Sequence, residues 1–158
     1  MDATDARRVR VVLAAVLLAA GCSITTHVDP VPAGPIPSLC ITENPAVWSK
    51  QFLPALRMQL ARHGITTTVH ASAPETCDHR LEYTAEWDWD LAMYLEYADI
   101  RIYRGDALVG RATYDARDGS ARLDKFGRTE TKLASLVDAL LGPEPRARAP
   151  VPDAGSRS

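Results

Sequence analysis

Three cysteines are the residues to which the sequence assigns the most definite chemistry. Cys22 directly follows a hydrophobic run, whereas Cys40 and Cys77 lie in the middle of the 158-residue chain. A thiol can be acylated, oxidised to a disulfide or bound to a metal, and the surrounding residues favour one of these outcomes. The two settings therefore predict different fates for Cys22 and for the other two cysteines.

The segment before Cys22 has the parts of a signal peptide. A basic stretch over residues 7–10 precedes the apolar run Val11–Ala20, which is too short to span a membrane. Leu18-Ala19-Ala20-Gly21-Cys22 then resembles the bacterial lipobox, with alanine where leucine is commonest, three places before the cysteine. The resemblance implies a signal peptide over residues 1–21, cleavage before Cys22 and fatty acyl chains such as palmitate on its thiol. A plain secretory signal is the alternative.

The residues after Cys22 indicate where the lipid would hold the chain. Several acyl chains on one cysteine anchor a protein stably to a membrane. Ser23, rather than aspartate, follows the cysteine, which resembles the sorting signal for the outer membrane, with the domain facing the periplasm. Residues 22–37 include four prolines, so we expect a tether that extends up to roughly 45 Å at about 3.1 Å per residue.

Cys40 and Cys77 remain as an even pair in an exported, oxidising compartment. We predict that they form a disulfide, which would stabilise the fold by roughly 3–4 kcal/mol in the chain-entropy model. Two free thiols are an alternative, and so is a metal site completed by His79. The metal site lacks the paired C-x-x-C spacing of zinc ligands. We predict no metal site and no cofactor.

Acidic residues occupy alternate positions near residues 82–90. Glu82, Glu86, Asp88 and Asp90 should therefore share one face of a strand. Several carboxylates could bind calcium, but the spacing is not that of a calcium loop. The solvated outer face of an antiparallel sheet explains the pattern better.

The aromatic residues of the same segment are candidates for a partner surface. Trp87 and Trp89 fall on the face opposite the carboxylates, and Tyr94 follows them closely. If this face points towards the helices, the rings belong to the core, which we favour. If it is exposed, the three residues form a patch of the kind that marks binding sites.

Asp124 and Lys125 stand between Leu123 and Phe126, just before a predicted helix. Charged residues in such an apolar frame suggest a buried ion pair or an ordered loop. They are also, with the carboxylate row, the parts that an enzyme or ligand site would use.

The hydrophobic pattern of residues 38–142 predicts the elements that position these residues. A strand at 39–42 precedes a helix that begins at Asn44-Pro45, bends at Pro54 and ends at Gly64. Strands follow at 65–70, 81–90, 92–103 and 107–115, and a last helix is capped by Thr129. The expected fold is α+β, a two-layer sandwich of a mixed five-stranded sheet with two helices on one face, in the order β-α-β-β-β-β-α. Residues 143–158 form an expected disordered tail.

Several strings in this domain resemble a Sbal-type family of small bacterial lipoproteins. They are Cys40-Ile41-Thr42-Glu43-Asn44-Pro45, Trp87-Asp88-Trp89-Asp90-Leu91-Ala92-Met93-Tyr94, Tyr114-Asp115 and Leu123-Asp124-Lys125-Phe126. The likeness covers Cys22-Ser23-Ile24 and essentially the whole folded middle. It implies localisation and fold but no chemistry, because no activity is assigned to that family.

Composition narrows the classes of function. The formal net charge of −2 argues against nucleic-acid binding, which requires a concentrated positive face. We expect a non-enzymatic accessory protein of the cell envelope, anchored by its lipid, that binds another envelope protein. The alternative is a small-ligand-binding protein or enzyme acting at the cell wall or membrane.

Overall fold

A computed structural model describes residues 23–72, 74, 76–119 and 122–143 of the chain. Cys22, the expected signal peptide and most of the expected tail lie outside the described residues, so those predictions stay predictions. The described residues form one open sheet, two α-helices and a short 3₁₀-helix. The elements are β1 Thr25–Asp29, β2 Ser38–Thr42, α1 Phe52–Arg62, β3 Thr66–His70, β4 His79–Asp90, β5 Ala92–Arg104, β6 Ala107–Asp115, η1 Leu123–Phe126 and α2 Thr129–Leu141.

The sheet is mixed and its strands lie in the order β1-β6-β5-β4-β2-β3. β2 is parallel to β3 and to β4, whereas β4, β5, β6 and β1 pair antiparallel in succession. The parallel pair β2 and β3 follows from the crossover through α1, since parallel neighbours need a long connection. The mixed α+β class with two helices is therefore confirmed.

The sheet has six strands rather than the predicted five. The additional strand, β1, pairs antiparallel with β6, with Thr25 opposite Asp115 and Asp29 opposite Arg111. Residues 25–29 belong to the segment that was predicted to be a tether, so that prediction is wrong for these five residues. Their backbone groups find partners on the edge of β6, which a free polyproline-like segment would not provide.

Helix α1 begins at Phe52, seven residues later than the predicted start at Pro45. Asn44 caps a turn instead, because its side-chain oxygen accepts a hydrogen bond from the Ala46 N–H at 3.0 Å. Pro54 is the third residue of the helix, where no intrahelical N–H donor is needed. The predicted bend at Pro54 is thus replaced by a shorter helix that begins near the proline.

Helix α2 matches its prediction closely. Thr129 is its first residue rather than its cap, a position held by Arg128. Gly142 ends the helix with φ at 85°, a left-handed conformation that glycine adopts without steric cost.

One hydrophobic core joins the sheet to both helices. Alternate residues of the central strands contribute Leu81, Tyr83 and Ala85 from β4 and Ala98, Ile100 and Ile102 from β5, and these join Phe52, Leu56, Leu60, Leu133, Leu136, Val137 and Leu140 from the helices. The two-layer arrangement with both helices on one face stays a prediction. Neither helix of the described residues has the length and apolar character needed to cross a membrane.

Candidate functional site

The β4–β5 hairpin extends beyond the rest of the sheet at one end of the molecule. Thr25, Asp115, Tyr97 and Glu86 are paired in succession across β1, β6, β5 and β4, which places them in one row. Residues 87–96 continue past this row, and we call residues 87–93 the hairpin tip. The tip is thus free of neighbouring strands on both sides.

A bulge and an unusual turn shape the hairpin tip. The β4–β5 register shifts between Glu86 and Trp87, so that one more residue lies on β5 than on β4. The hairpin closes at Leu91, whose φ of 62° is the one positive value among the described non-glycine residues. This left-handed conformation costs a branched aliphatic residue roughly 1–2 kcal/mol.

Apolar side chains at this end are unusually exposed. Trp89 is 64% exposed, Leu91 is 85% exposed, and Met93, opposite Trp89 in the hairpin, is half exposed. We call Trp89, Leu91 and Met93 the apolar tip. Leu123 on η1 is also 81% exposed, and η1 is bound to the hairpin through Lys125 and Asp90.

The three aromatic residues proposed from the sequence have different environments. Tyr94 is buried, and Trp87 is partly buried against the core. The Trp87 ring lies edge-on to Phe52 at 5.7 Å and to the exposed Trp48 at 5.5 Å. Trp89 alone of the three sequence candidates is largely exposed. The partner role of these residues remains a prediction.

Lys125 is the most deeply buried charged residue in the described part of the chain. Its side chain forms an ion pair with Asp90, and its ammonium lies 4.9 Å from the Tyr94 ring centroid and 5.2 Å from that of Phe126. The hydrogen bond to Asp90 raises the pKa of Lys125 above its usual value. Lys125 therefore fixes η1 to the hairpin tip, next to its turn, as a charged group.

A second lysine, Lys132 of α2, completes the attachment of η1. Its ammonium donates to the backbone oxygens of Lys125 at 2.5 Å and Leu95 at 3.3 Å, and it lies 4.6 Å from the Tyr114 ring. Burial lowers the pKa of Lys132 to about 8. No sequence pattern points to this residue, because its partners are backbone oxygens and a ring brought together by the fold.

The sequence suggested a buried ion pair or an ordered loop at Asp124 and Lys125, and the structure shows a buried lysine whose partner lies elsewhere in the chain. Asp124 is exposed and accepts a hydrogen bond from Arg122 at 2.9 Å. Lys125 reaches across to Asp90, 35 residues earlier in the chain.

The carboxylates of β4 are divided between different environments. Glu82 forms ion pairs with Arg80 at 3.2 Å and Arg101 at 4.0 Å on the outer surface of the sheet. Asp90, by contrast, pairs with Lys125. Burial, followed by the nearby carboxylates, raises the pKa of Glu96 in this region. The row thus combines paired surface charges with one structural ion pair.

Cys40 and Cys77 are joined by a disulfide with Cα atoms 6.1 Å apart, which agrees with the predicted pairing. His70 lies beside them, with its ring nitrogen and the two sulfurs within 4.8 Å of one another. The histidine considered from the sequence was His79, so the neighbour was misassigned. In the disulfide both sulfurs are consumed, and the three groups do not act as thiolate metal ligands.

An open groove lies at the opposite end of the molecule. The connection between β1 and β2, residues 31–37, lines it together with His63, Gly64, Ile65 and Leu141, and its volume is about 370 Å³. The side chains named from the sequence as potential parts of a ligand site, Asp124 and Lys125, do not line this groove.

The described part of the chain has a mixed α+β fold with one open six-stranded sheet and two α-helices. No protein-family model and no curated protein matches the chain.

Among solved structures, the chain is similar to the PelC dodecamer from Paraburkholderia phytofirmans. That match has 16% sequence identity and a TM-score of 0.54, and it covers 74% of this chain and 98% of the PelC chain. A PelC variant dodecamer from the same organism matches at 18% identity and a TM-score of 0.48, covering 73% and 92% of the two chains. A minor lipoprotein from Acinetobacter baumannii matches at 14% identity and a TM-score of 0.30, covering 65% and 83%. At 16% identity, the first match shows a shared fold.

Proposed function

We propose that this protein is a lipid-anchored lipoprotein of the cell envelope, of the Sbal-type family, that acts without catalysis by binding protein. The observation that carries the proposal is the lipobox-like sequence Leu18-Ala19-Ala20-Gly21-Cys22 directly ahead of the folded domain, whose first strand begins at Thr25. Acylation of Cys22 would hold the domain at a membrane, and the Ser23 that follows favours the outer membrane facing the periplasm.

Acylation can be tested directly by growing cells with labelled palmitate. We expect wild-type protein to take up the label and to fractionate with the outer membrane, whereas Cys22→Ala should do neither. Cys40→Ala is the matched control, since it removes a cysteine outside the lipobox-like sequence and should leave labelling intact. A wild-type protein that incorporates no label, together with a Cys22→Ala variant that stays membrane-bound, would contradict the proposal.

The open edges of the sheet support protein binding. β1 and β3 are the two edge strands, and an edge strand presents unpaired backbone donors and acceptors that can pair with another chain. β3 carries Thr66, Thr67 and Thr68, a short β-branched run suited to such pairing. The similar PelC structure is a dodecamer, and we therefore propose a second copy of this chain as the first partner to test.

Oligomeric state decides this part of the proposal. Acylated full-length protein in detergent should sediment as a species larger than the monomer, and chemical cross-linking in cells should give ladders of the same chain. Thr67→Pro removes a backbone donor from edge strand β3 and should weaken assembly through that strand. Thr26→Pro makes the same change on the other edge strand, β1. A strictly monomeric protein that also recovers no other partner from cross-linked cells would overturn protein binding.

The competing function, a small-ligand-binding protein or enzyme, has less support. Its candidate side chains already have structural partners, since Asp124 pairs with Arg122 and Lys125 pairs with Asp90. A compound that raises the melting temperature of the protein in a ligand screen would favour this alternative, because binding to the native state stabilises it.

A further inference from the structure

The chain enters the fold at the same end as the hairpin tip. β1 is antiparallel to β6, β6 to β5 and β5 to β4, so the start of β1 and the β4–β5 turn lie at one end of the sheet. Cys22 is three residues before Thr25 and thus no more than about 10 Å from it. The tip continues five residues past Glu86, roughly 16 Å at about 3.3 Å per residue. The tip therefore reaches at least as far as the anchor point.

The apolar tip is costly in the isolated chain. Trp89 and Leu91 expose most of their surface to water and Met93 exposes half of it, and Leu91 also adopts a left-handed backbone conformation. Glycine or asparagine would suit that turn better. Exposed apolar clusters and strained residues of this kind mark contact surfaces, so the tip is built to meet something outside the domain.

The charges around the tip are partly neutralised within the protein. Asp90 pairs with Lys125 and Asp124 pairs with Arg122, whereas the exposed Asp88 accepts a hydrogen bond from the neutral Tyr94 hydroxyl at 3.5 Å and keeps its negative charge. An approaching surface therefore meets tryptophan, leucine and methionine beside a residual negative charge. This composition suits the boundary between lipid headgroups and acyl chains, where tryptophan is enriched.

We propose that the apolar tip inserts into the interfacial region of the membrane to which Cys22 is anchored. The proposal rests on the acylation of Cys22 under the proposed function. The lipid surface is favoured over other occupants because the short link from Cys22 to Thr25 holds this end of the domain at the bilayer. The exposed Leu123 on η1 and Trp48 lie towards the same end and extend the apolar surface.

Fluorescence quenching by brominated lipid tests the insertion. Acylated full-length protein is incorporated into phosphatidylcholine vesicles with or without bromine on the acyl chains, and tryptophan emission is compared. We expect emission of the wild type to fall in brominated vesicles, and the loss to be at least about twofold smaller for Trp89→Phe, because tryptophan at the interface contacts the acyl chains.

Two further variants separate insertion from general effects on the protein. Leu91→Asn tolerates the left-handed turn but makes the tip polar, and it should reduce the quenching of Trp89. Leu108→Ser changes an exposed leucine at the opposite end of the sheet and should leave the quenching unchanged. Equal melting temperatures of the variants in detergent show that each one folds.

Three results would overturn the insertion. Quenching that is absent in acylated wild type, or unchanged in Trp89→Phe, shows that the tip does not reach the lipid. In the second result, the wild type shows no quenching and sediments as a species larger than the monomer, whereas Leu91→Asn sediments as a smaller species. That combination shows that a second copy of the chain covers the tip. If the protein lacks acyl mass and does not float with vesicles, the proposed function itself fails, and that result is distinct from the other two.

Discussion

Lys125 is only 1% exposed, yet the side chain of its partner Asp90 is 44% exposed. A buried ammonium is costly without compensation, and here the carboxylate and two aromatic rings supply it. Because water can still solvate Asp90, the loss of the lysine charge should leave no fully buried unpaired carboxylate. The hydrocarbon stem of Lys125, packed between η1 and the hairpin, should then contribute most of its stabilisation.

Substitution of Lys125 tests this division between stem and charge. We expect Lys125→Met, which keeps the stem, to cost about 1 kcal/mol of unfolding free energy, and Lys125→Ala to cost about 2–3 kcal/mol because it leaves a cavity. Urea unfolding at neutral pH measures both values. The exposed Arg128→Met should change stability by less than about 0.5 kcal/mol. Equal losses for the methionine and alanine variants would show that the charge, rather than packing, dominates.

Lys132 should make stability depend on pH in the alkaline range. Its pKa in the folded protein is about 8, below the ordinary value of 10.5, so between these values the unfolded chain binds more protons. The unfolding free energy of wild type relative to Lys132→Met should therefore rise from about pH 8 towards pH 10.5. Burial raises the pKa of Tyr114 to about 12, but this tyrosine is present in both proteins and cancels. Parallel stability curves for the two proteins would contradict the burial of this ammonium.

The connection from β1 to β2 is held between β6 and α2 at Gly110. A Cβ at this position would lie 2.5 Å from Val31 Cγ2 and 3.1 Å from Leu140 Cδ1. The Val31 N–H also donates to the Leu140 carbonyl at 2.9 Å. Gly110 thus lets three elements meet at close range, and a larger residue would have to displace the connection from the sheet.

We expect Gly110→Ala to lower the unfolding free energy by about 1–3 kcal/mol, as overpacking of a filled interior does. Thermal unfolding of the two proteins measures the difference. Gly34→Ala, in the same connection but with no atom within 4 Å of the added Cβ, should change stability by less than about 0.5 kcal/mol. If both alanine variants unfold at the wild-type temperature, the connection between β1 and β2 moves aside without loss of stability. The close contact at Gly110 then does not contribute to the stability of the fold.

Sequence periodicity predicted elements whose signals are local. The long strands β4, β5 and β6 alternate strongly, and the apolar stripe and Gly142 define α2. β1 was missed because its five residues lie between Cys22 and a proline-rich run, and its pairing partner β6 is more than 80 residues away. Local composition cannot report such a long-range hydrogen-bond ladder.

The start of α1 was misplaced because the same residue pair is typical of two local structures. Asn44 followed by Pro45 suits a helix N-terminus, but it also suits a turn. Here the Asn44 amide donates to the Tyr83 carbonyl at 2.9 Å, a contact with β4 that only the folded sheet provides. That tertiary hydrogen bond holds the chain in a turn, and the helix begins only at Phe52.

Of the apolar tip, only Trp89 was predicted from the sequence, whereas the exposure of Leu91 and Met93 was not. Alternation placed Trp87 and Trp89 on one face, yet the bulge at Glu86 and Trp87 and the extension of the hairpin beyond the sheet leave Trp89 exposed and Trp87 partly buried. Strand length relative to neighbouring strands decides this difference, and it depends on pairing across the whole sheet. The disulfide was predictable because Cys40 and Cys77 were the pair left once Cys22 was assigned to lipid.

At the scale of the molecule, the sixth strand changes the expected relation between domain and membrane. A tether over residues 22–37 would have placed the domain up to roughly 45 Å from the lipid. With β1 beginning at Thr25, the link from Cys22 is three residues long, and the hairpin tip lies at the same end of the sheet. The groove lined by residues 31–37 lies at the other end and faces away from the anchor. An acylated chain would thus present a defined end to the bilayer.

Lengthening the link should uncouple the tip from the membrane without removing the anchor. A flexible insertion of about 20 Gly/Ser residues between Ser23 and Ile24 spans roughly 25 Å on average. It therefore lowers the effective concentration of the tip at the lipid surface. We expect the acylated variant to float with vesicles like wild type, while the quenching of Trp89 by brominated lipid falls severalfold. The same insertion after Pro143 should leave the quenching unchanged, because α2 and the tail do not connect the anchor to the sheet. Undiminished quenching with the long link would mean that the tip holds the membrane by its own affinity, and that the short connection to β1 contributes nothing to its insertion.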